Sequence, residues 1–297
     1  MMPSSATLTE SAPPARAAAE PQAYSRWQRV LLAVVAAELV ILYWPTVSWL
    51  FDRWTLSVWQ HAHGLLIPPV VFYFAYQELK QLRHLPRQAS ALGFVLLVPA
   101  LALHALDAGM HTQLLSAAAL LLALPGLSLL VLGRQRTRAI LYPLAFLMFA
   151  LPIPLTFTEQ IHWQLRQIAT AGTAAVVPFL GVPIFVEGTT LHIPGGAVQV
   201  ADACSGFSTL YAAIAVACLT AYSADTQWRR VVVLLSAVPL AIAANLLRVI
   251  GLVLLVAWYG GGMLETFLHP LSGMLTFALA LPVIFWLGGH QKKRAGS

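Results

Sequence analysis

The sequence predicts an all-α, polytopic transmembrane helical bundle of about eight spans, and three observations carry that prediction. Hydrophobic residues make up 59% of the chain and charged residues only 9%, where a soluble domain carries roughly 25% charged residues. The apolar residues fall into runs near the ~20 residues that a helix needs to cross a bilayer. Lysine and arginine gather between alternate runs, as the positive-inside rule requires of a multi-span chain. The net charge of +6 is therefore a matter of membrane topology, and nucleic-acid binding is not expected.

Residues 1–27 are rich in Ala, Pro and Ser without an apolar core, the composition of a disordered cytoplasmic tail and not of a signal peptide. One membrane domain is expected over 28–290, followed by a basic cytoplasmic tail over 291–297, and no internal repeat is visible. The first span is placed at 30–50, with Trp44, Trp49 and Trp54 marking its far interface. The second, 64–79, is short and carries Pro68 and Pro69. The third and fourth cover 91–106 and 113–132, and the fifth, 139–155, ends in Leu151-Pro152-Ile153-Pro154. The last three are 204–222, 231–258 and 270–287.

Arg16, Arg26 and Arg29 precede the first span; Lys80, Arg83 and Arg87 follow the second; Arg134, Arg136 and Arg138 follow the fourth. Arg229 and Arg230 follow the sixth, and Lys292, Lys293 and Arg294 close the chain. With eight spans all of these share one side, and the other side holds only Arg53 and Arg166. Both termini are then expected in the cytoplasm, with the chain in the cytoplasmic (inner) membrane. The outer, periplasmic side receives residues 156–203. Their first half sets Gln160, Gln164, Arg166 and Gln167 among apolar neighbours, as an interfacial amphipathic helix does. Their second half, 181–196, alternates and turns like a short β-hairpin.

That segment leads directly to Asp202-Ala203-Cys204-Ser205-Gly206. A helix entered there, with Asp202 as N-cap, would set its positive end beside the Cys204 thiol and favour the nucleophilic thiolate. The plainer reading of Cys204 is a small apolar residue at a helix start. Cys218 falls on the same predicted helix, ~21 Å further on at 1.5 Å per residue. That exceeds disulfide reach, so Cys218 is expected to be inert core. Arg248 lies inside the seventh span, where an arginine costs from about 2.5 to over 10 kcal/mol and marks a functional candidate. Asn245, one turn earlier on the same face, is placed to orient it. The competing reading has Arg248 snorkelling outwards or pairing with a buried acid. His269 opens the eighth span on the same outer side, where a lone histidine is also an ordinary boundary residue. Cys204, Arg248 and His269 thus come from three consecutive spans at one side and one depth.

At these residues the chain resembles the exosortase/archaeosortase family of polytopic membrane cysteine transpeptidases. The family's Cys-Ser-Gly corresponds to Cys204-Ser205-Gly206, its Asn-x-x-Arg to Asn245 and Arg248, and its His-x-x-x-Gly to His269 and Gly273. His63-Gly64 and the Leu151-Pro152-Ile153-Pro154 turn look like its lesser signatures, and the resemblance runs over 44–287. Two departures stand out: Asp202 where Glu is frequent, and Ser208 where many members carry a larger polar residue. The resemblance implies Cys204 as nucleophile, His269 as proton carrier, and Arg248 as oxyanion or thiolate partner. Asn245, Asp202, Ser205 and Gly206 would support them. It further implies substrates that are exported proteins with a C-terminal sorting tail of the PEP-CTERM kind.

No cofactor or metal is expected: His61 and His63 flank the second span without a carboxylate or cysteine at ligand spacing. His104, His111 and His162 read as scattered interfacial residues, Asp107 and Glu265 as outer-loop acids without a role, and Glu38 as facing the bundle or a wet cavity. Ser205 competes with Cys204 as nucleophile. The rival functional classes are a membrane transferase or transporter for lipid-linked saccharide or acyl groups in exopolysaccharide export, and a non-catalytic scaffold. Membrane lipids are the other expected partner.

Overall fold

The computed structural model describes residues 25–55, 63–85, 88–201, 204–262 and 268–289. The two predicted tails lie almost wholly outside this range, as do Asp202, His61 and Glu265. The helices are α1 (Arg26–Thr55), α2 (His63–Gln81), α3 (Gly93–Met110), α4 (Leu114–Leu132) and α5 (Arg134–Phe146). After them come α6 (Leu155–Val176), α7 (Phe207–Ser223), α8 (Gln227–Tyr259) and α9 (Leu268–Gly288). Short 3₁₀ turns, Leu147–Ala150 and Val177–Leu180, follow α5 and α6.

Four helices among the described residues are long and apolar enough to cross a membrane: Ala33–Thr55 of α1, Gly93–Met110, Leu114–Leu132 and Gln227–Tyr259. These correspond to the first, third, fourth and seventh of the eight expected spans. Helix α7 is apolar but shorter. The fifth expected span is corrected. Its helix begins within the basic segment at Arg134 and stops at Phe146, 13 residues in all. The helical path continues as the 3₁₀ turn Leu147–Ala150 and ends at Leu151, since proline drives the residue before it into extended backbone. Leu151 is extended accordingly, with φ −74° and ψ 132°.

The expected hairpin is a three-stranded antiparallel sheet in the order β1 (Phe185–Glu187), β2 (Thr190–Ile193), β3 (Gly196–Gln199). Register pairs Val186 with Leu191, and Leu191 with Val198. Strand alternation turns Leu191, Ile193 and Val198 inwards, where they meet Ala169 of α6, Val177 of the 3₁₀ turn after it, and Val249, Val253 and Val256 of α8. Cys204 belongs to this same apolar cluster. The turn after β2 closes against the end of α8: a side-chain carbon on Gly195, whose φ is +96°, would come within 2.7 Å of the Val256 carbonyl oxygen. Only glycine fits there. The sheet is thus seated on the C-terminal half of α8 and delivers the chain to the cysteine.

Two polar residues of uncertain purpose in the sequence have structural work. Asp107 is buried in the last turn of α3, where its carboxylate accepts from the Thr112 hydroxyl and, at 3.0 Å, from the Ser116 N–H. It ties the α3–α4 turn together, which corrects the outer-loop reading. Arg136 is also buried and donates from Nη2 to the carbonyl oxygens of Leu82 and Leu85, at 3.3 and 2.6 Å, just past the C-terminus of α2. A cation at a helix end satisfies such orphan carbonyls.

Candidate active site

The chain leaves β3 and tightens at once. The Val200 N–H donates to the Thr189 carbonyl at 2.9 Å, and the Cys204 N–H to the Ala201 carbonyl at 2.9 Å. Gly206 then takes a left-handed conformation, φ +85°, and serves as N-cap of α7. The first helical bond runs from the Leu210 N–H to the Gly206 carbonyl at 2.9 Å. The expected helix start at Cys204, capped by Asp202, is therefore corrected: α7 begins at Phe207, and Cys204 stands in the turn ahead of it. A left-handed residue cannot continue a right-handed helix, so Gly206 fixes the boundary.

Cys204 is buried, with 6% of its surface exposed. Burial pushes its thiol above the ordinary value; the Arg248 guanidinium pulls the other way, as does the hydrogen bond at Ala201. The thiolate thus has a nearby cation and a desolvation cost that outweighs it.

Asn245 of α8 is the anchor of the turn. Its Nδ2 donates to the carbonyl oxygens of Cys204 and Ser205, at 3.2 and 3.1 Å. The side chain is buried, so both carbonyls are satisfied away from water. Gly206 is what lets α8 come so close: a side-chain carbon there would lie 2.4 Å from Asn245 Cγ. This also corrects the expected role of Asn245, whose amide serves the cysteine turn and not Arg248.

Arg248 leads to α9. Its Nε donates to Ser272 Oγ at 3.0 Å, and its guanidinium packs 3.5 Å from where Gly273 would carry a side chain. Position 269 lies one helical turn before Ser272 and Gly273, on the same face of α9. The side chain of His269 lies outside the described residues. The structure thus gathers Cys204, Ser205, Gly206, Asn245 and Arg248 at one locus, and brings the helix turn that bears His269 to Arg248.

One residue at this locus escaped the sequence reading. His162 of α6 sets Nδ1 2.9 Å from Ser205 Oγ, and its ring lies 4.5 Å from that of Phe207, tilted by 32°. A signal was present: Thr158, Leu165 and Ala169 form the buried face of α6, and His162 falls on that face at the i+4 position from Thr158. Phe207 stacks in turn on Tyr211, 6.1 Å away, and Tyr211 meets His63 of α2 edge-on at 5.4 Å. A narrow crevice lined by Leu165, Ala169, Ser205, Gly206, Ala241 and Asn245 runs beside the turn. Among the described residues, no three His, Cys, Asp or Glu side chains cluster as metal ligands would.

No curated protein and no solved structure matches this chain. The sequence does match one family, Transmembrane exosortase (Exosortase_EpsH), over residues 54–286, well over half of its length and including the whole of the locus just described. On that match the chain belongs to the transmembrane exosortase family.

Proposed function

We propose that the protein is a membrane-embedded cysteine protease or transpeptidase. It cleaves the C-terminal sorting tails, of the PEP-CTERM kind, of exported proteins at the outer face of the cytoplasmic membrane. The observation that carries this reading is the buried Cys204 turn, held through its backbone by Asn245, with the Arg248 charge acting on the thiol. Arg248 in turn rests on the first turns of the helix that bears His269. The sidedness rests on the distribution of Lys and Arg along the sequence.

The chemistry follows from the groups. Cys204, as thiolate, attacks the scissile carbonyl and forms a tetrahedral oxyanion. The Arg248 guanidinium neutralises that oxyanion, a contribution of about 3–4 kcal/mol per good donor in a water-poor site. The carbon–nitrogen bond breaks as His269 supplies a proton to the leaving amine, leaving the acyl group on sulfur. Water or an amine then attacks the thioester and returns the thiolate. A thiol ionises far more readily than an aliphatic hydroxyl, so Cys204 is the stronger nucleophile of the pair, although Ser205 Oγ lies 2.9 Å from His162 Nδ1 and accepts the Phe207 N–H at 3.3 Å.

Co-expression with a tail-bearing substrate tests the reading, comparing Cys204→Ala, Arg248→Ala and His269→Ala in membrane-inserted protein. Loss of cleavage in all three is expected. Normal processing by Cys204→Ala would refute it.

A further inference from the structure

Helix α6 brings to the nucleophile turn a group outside the Cys204, Arg248 and His269 set. His162 Nδ1 lies 2.9 Å from Ser205 Oγ. That oxygen also accepts the Phe207 N–H at 3.3 Å, in the first turn of α7. A hydroxyl both donates and accepts, so Ser205 Oγ can bond Nδ1 in either imidazole tautomer while still accepting the Phe207 N–H. Ser205 is only 1% exposed, so the bond is formed inside the protein. From the other side Asn245 holds the backbone carbonyls of Cys204 and Ser205. The turn that carries the thiol is therefore gripped twice, by α8 through its backbone and by α6 through a side chain. A boundary histidine would turn its ring to water; this one lies against Phe207 and points at a buried hydroxyl.

We propose that His162 is a positioning residue for Cys204: through Ser205 Oγ it holds the 204–206 turn in the shape that presents the thiol, and so makes α6 part of the reaction centre. Its effect on cleavage rests on the proposed role of Cys204, whereas the clamp itself can be tested independently.

The test uses the full-length protein in detergent, with a tail-bearing peptide for cleavage and a maleimide for thiol labelling. An Asn side chain places its amide near the position of Nδ1, and a Gln places it near Nε2. His162→Ala is expected to lower kcat about tenfold with KM little changed, the factor for losing one buried hydrogen bond. His162→Asn should recover most of that loss, and His162→Gln should not. Ser205→Ala, which also removes the acceptor of the Phe207 N–H, should cost at least as much as His162→Ala, and the double variant should be no worse than Ser205→Ala, because the shared bond is lost only once. Losses that multiply in the double variant, or equal rescue by Asn and Gln, would overturn the proposal. In a Cys218→Ala background, His162→Ala should also raise the labelling rate of Cys204 several-fold as the turn loosens. An unchanged rate overturns the clamp whether or not the protein cleaves. Altered labelling in a protein that cleaves nothing upholds the clamp and defeats the cleavage reading instead.

Discussion

Replacing Asn245 by leucine, close in volume but without polar atoms, isolates what the amide does. The wild-type side chain donates to two carbonyl oxygens, at 3.2 and 3.1 Å, in a site where Asn245 is 3% exposed. Each such bond contributes ~0.5–1.5 kcal/mol net, and stranding a buried acceptor costs more, ~1–3 kcal/mol. The two together give about 1–3 kcal/mol at the least, felt at the backbone that carries Cys204. If that energy sets how well the turn is held for attack, kcat falls by roughly 5- to 150-fold at 1.4 kcal/mol per factor of ten. The assay is single-turnover cleavage of a tail-bearing substrate by monodisperse Asn245→Leu protein, run beside Asn245→Gln. Gly206 packs so closely on this side chain that a carbon added there would lie 2.4 Å from Asn245 Cγ, so the longer Gln is expected to fit badly and rescue poorly. Wild-type cleavage by Asn245→Leu would refute the claim that α8 holds the nucleophile through this amide.

Other perturbations separate charge, shape and conformation. Because burial raises the Cys204 thiol and Arg248 opposes that rise, alkylation of Cys204 should accelerate about tenfold per pH unit below its midpoint. Arg248→Gln removes the cation, moves the midpoint higher still, and slows labelling at any fixed pH below it; a midpoint that stays in place would refute the electrostatic link. Gly206→Ala combines a left-handed φ of +85° with a contact of 2.4 Å and should abolish cleavage, whereas Gly273→Ala meets Arg248 only at 3.5 Å and should keep most of it. Gly133→Ala should reduce folded yield, since its φ is +83° and the new carbon would fall 2.0 Å from the Gln88 carbonyl oxygen, which a detergent size-exclusion profile reads directly.

The sequence made the bundle legible because apolar runs and basic loops are local signals, and α1, α3, α4 and α8 fall where those runs lie. The amphipathic α6 and the strands before Cys204 were legible for the same reason: periodicity of 3.6 or 2 is read within a few residues. What failed depended on a single backbone conformation or on a distant partner. Gly206 takes a left-handed φ and so delays α7 to Phe207, against the helix start expected at Cys204 with Asp202 as its cap. Asn245 and Arg248 share a helix face, so spacing suggested that they interact. The amide instead reaches carbonyls some forty residues earlier in the chain, which no local pattern encodes. His162 was passed over likewise, because Ser205 stands 43 residues away. Of the candidate site, the residue types were readable, but the way they are held was not.

The most direct test of the central claim is the intact mass of the protein after rapid acid quench during turnover of a tail-bearing substrate. An adduct equal to the upstream substrate fragment, attached at Cys204 and released by hydroxylamine, is the predicted result. Turnover with the adduct on Ser205, or cleavage that continues in Cys204→Ala, would contradict it.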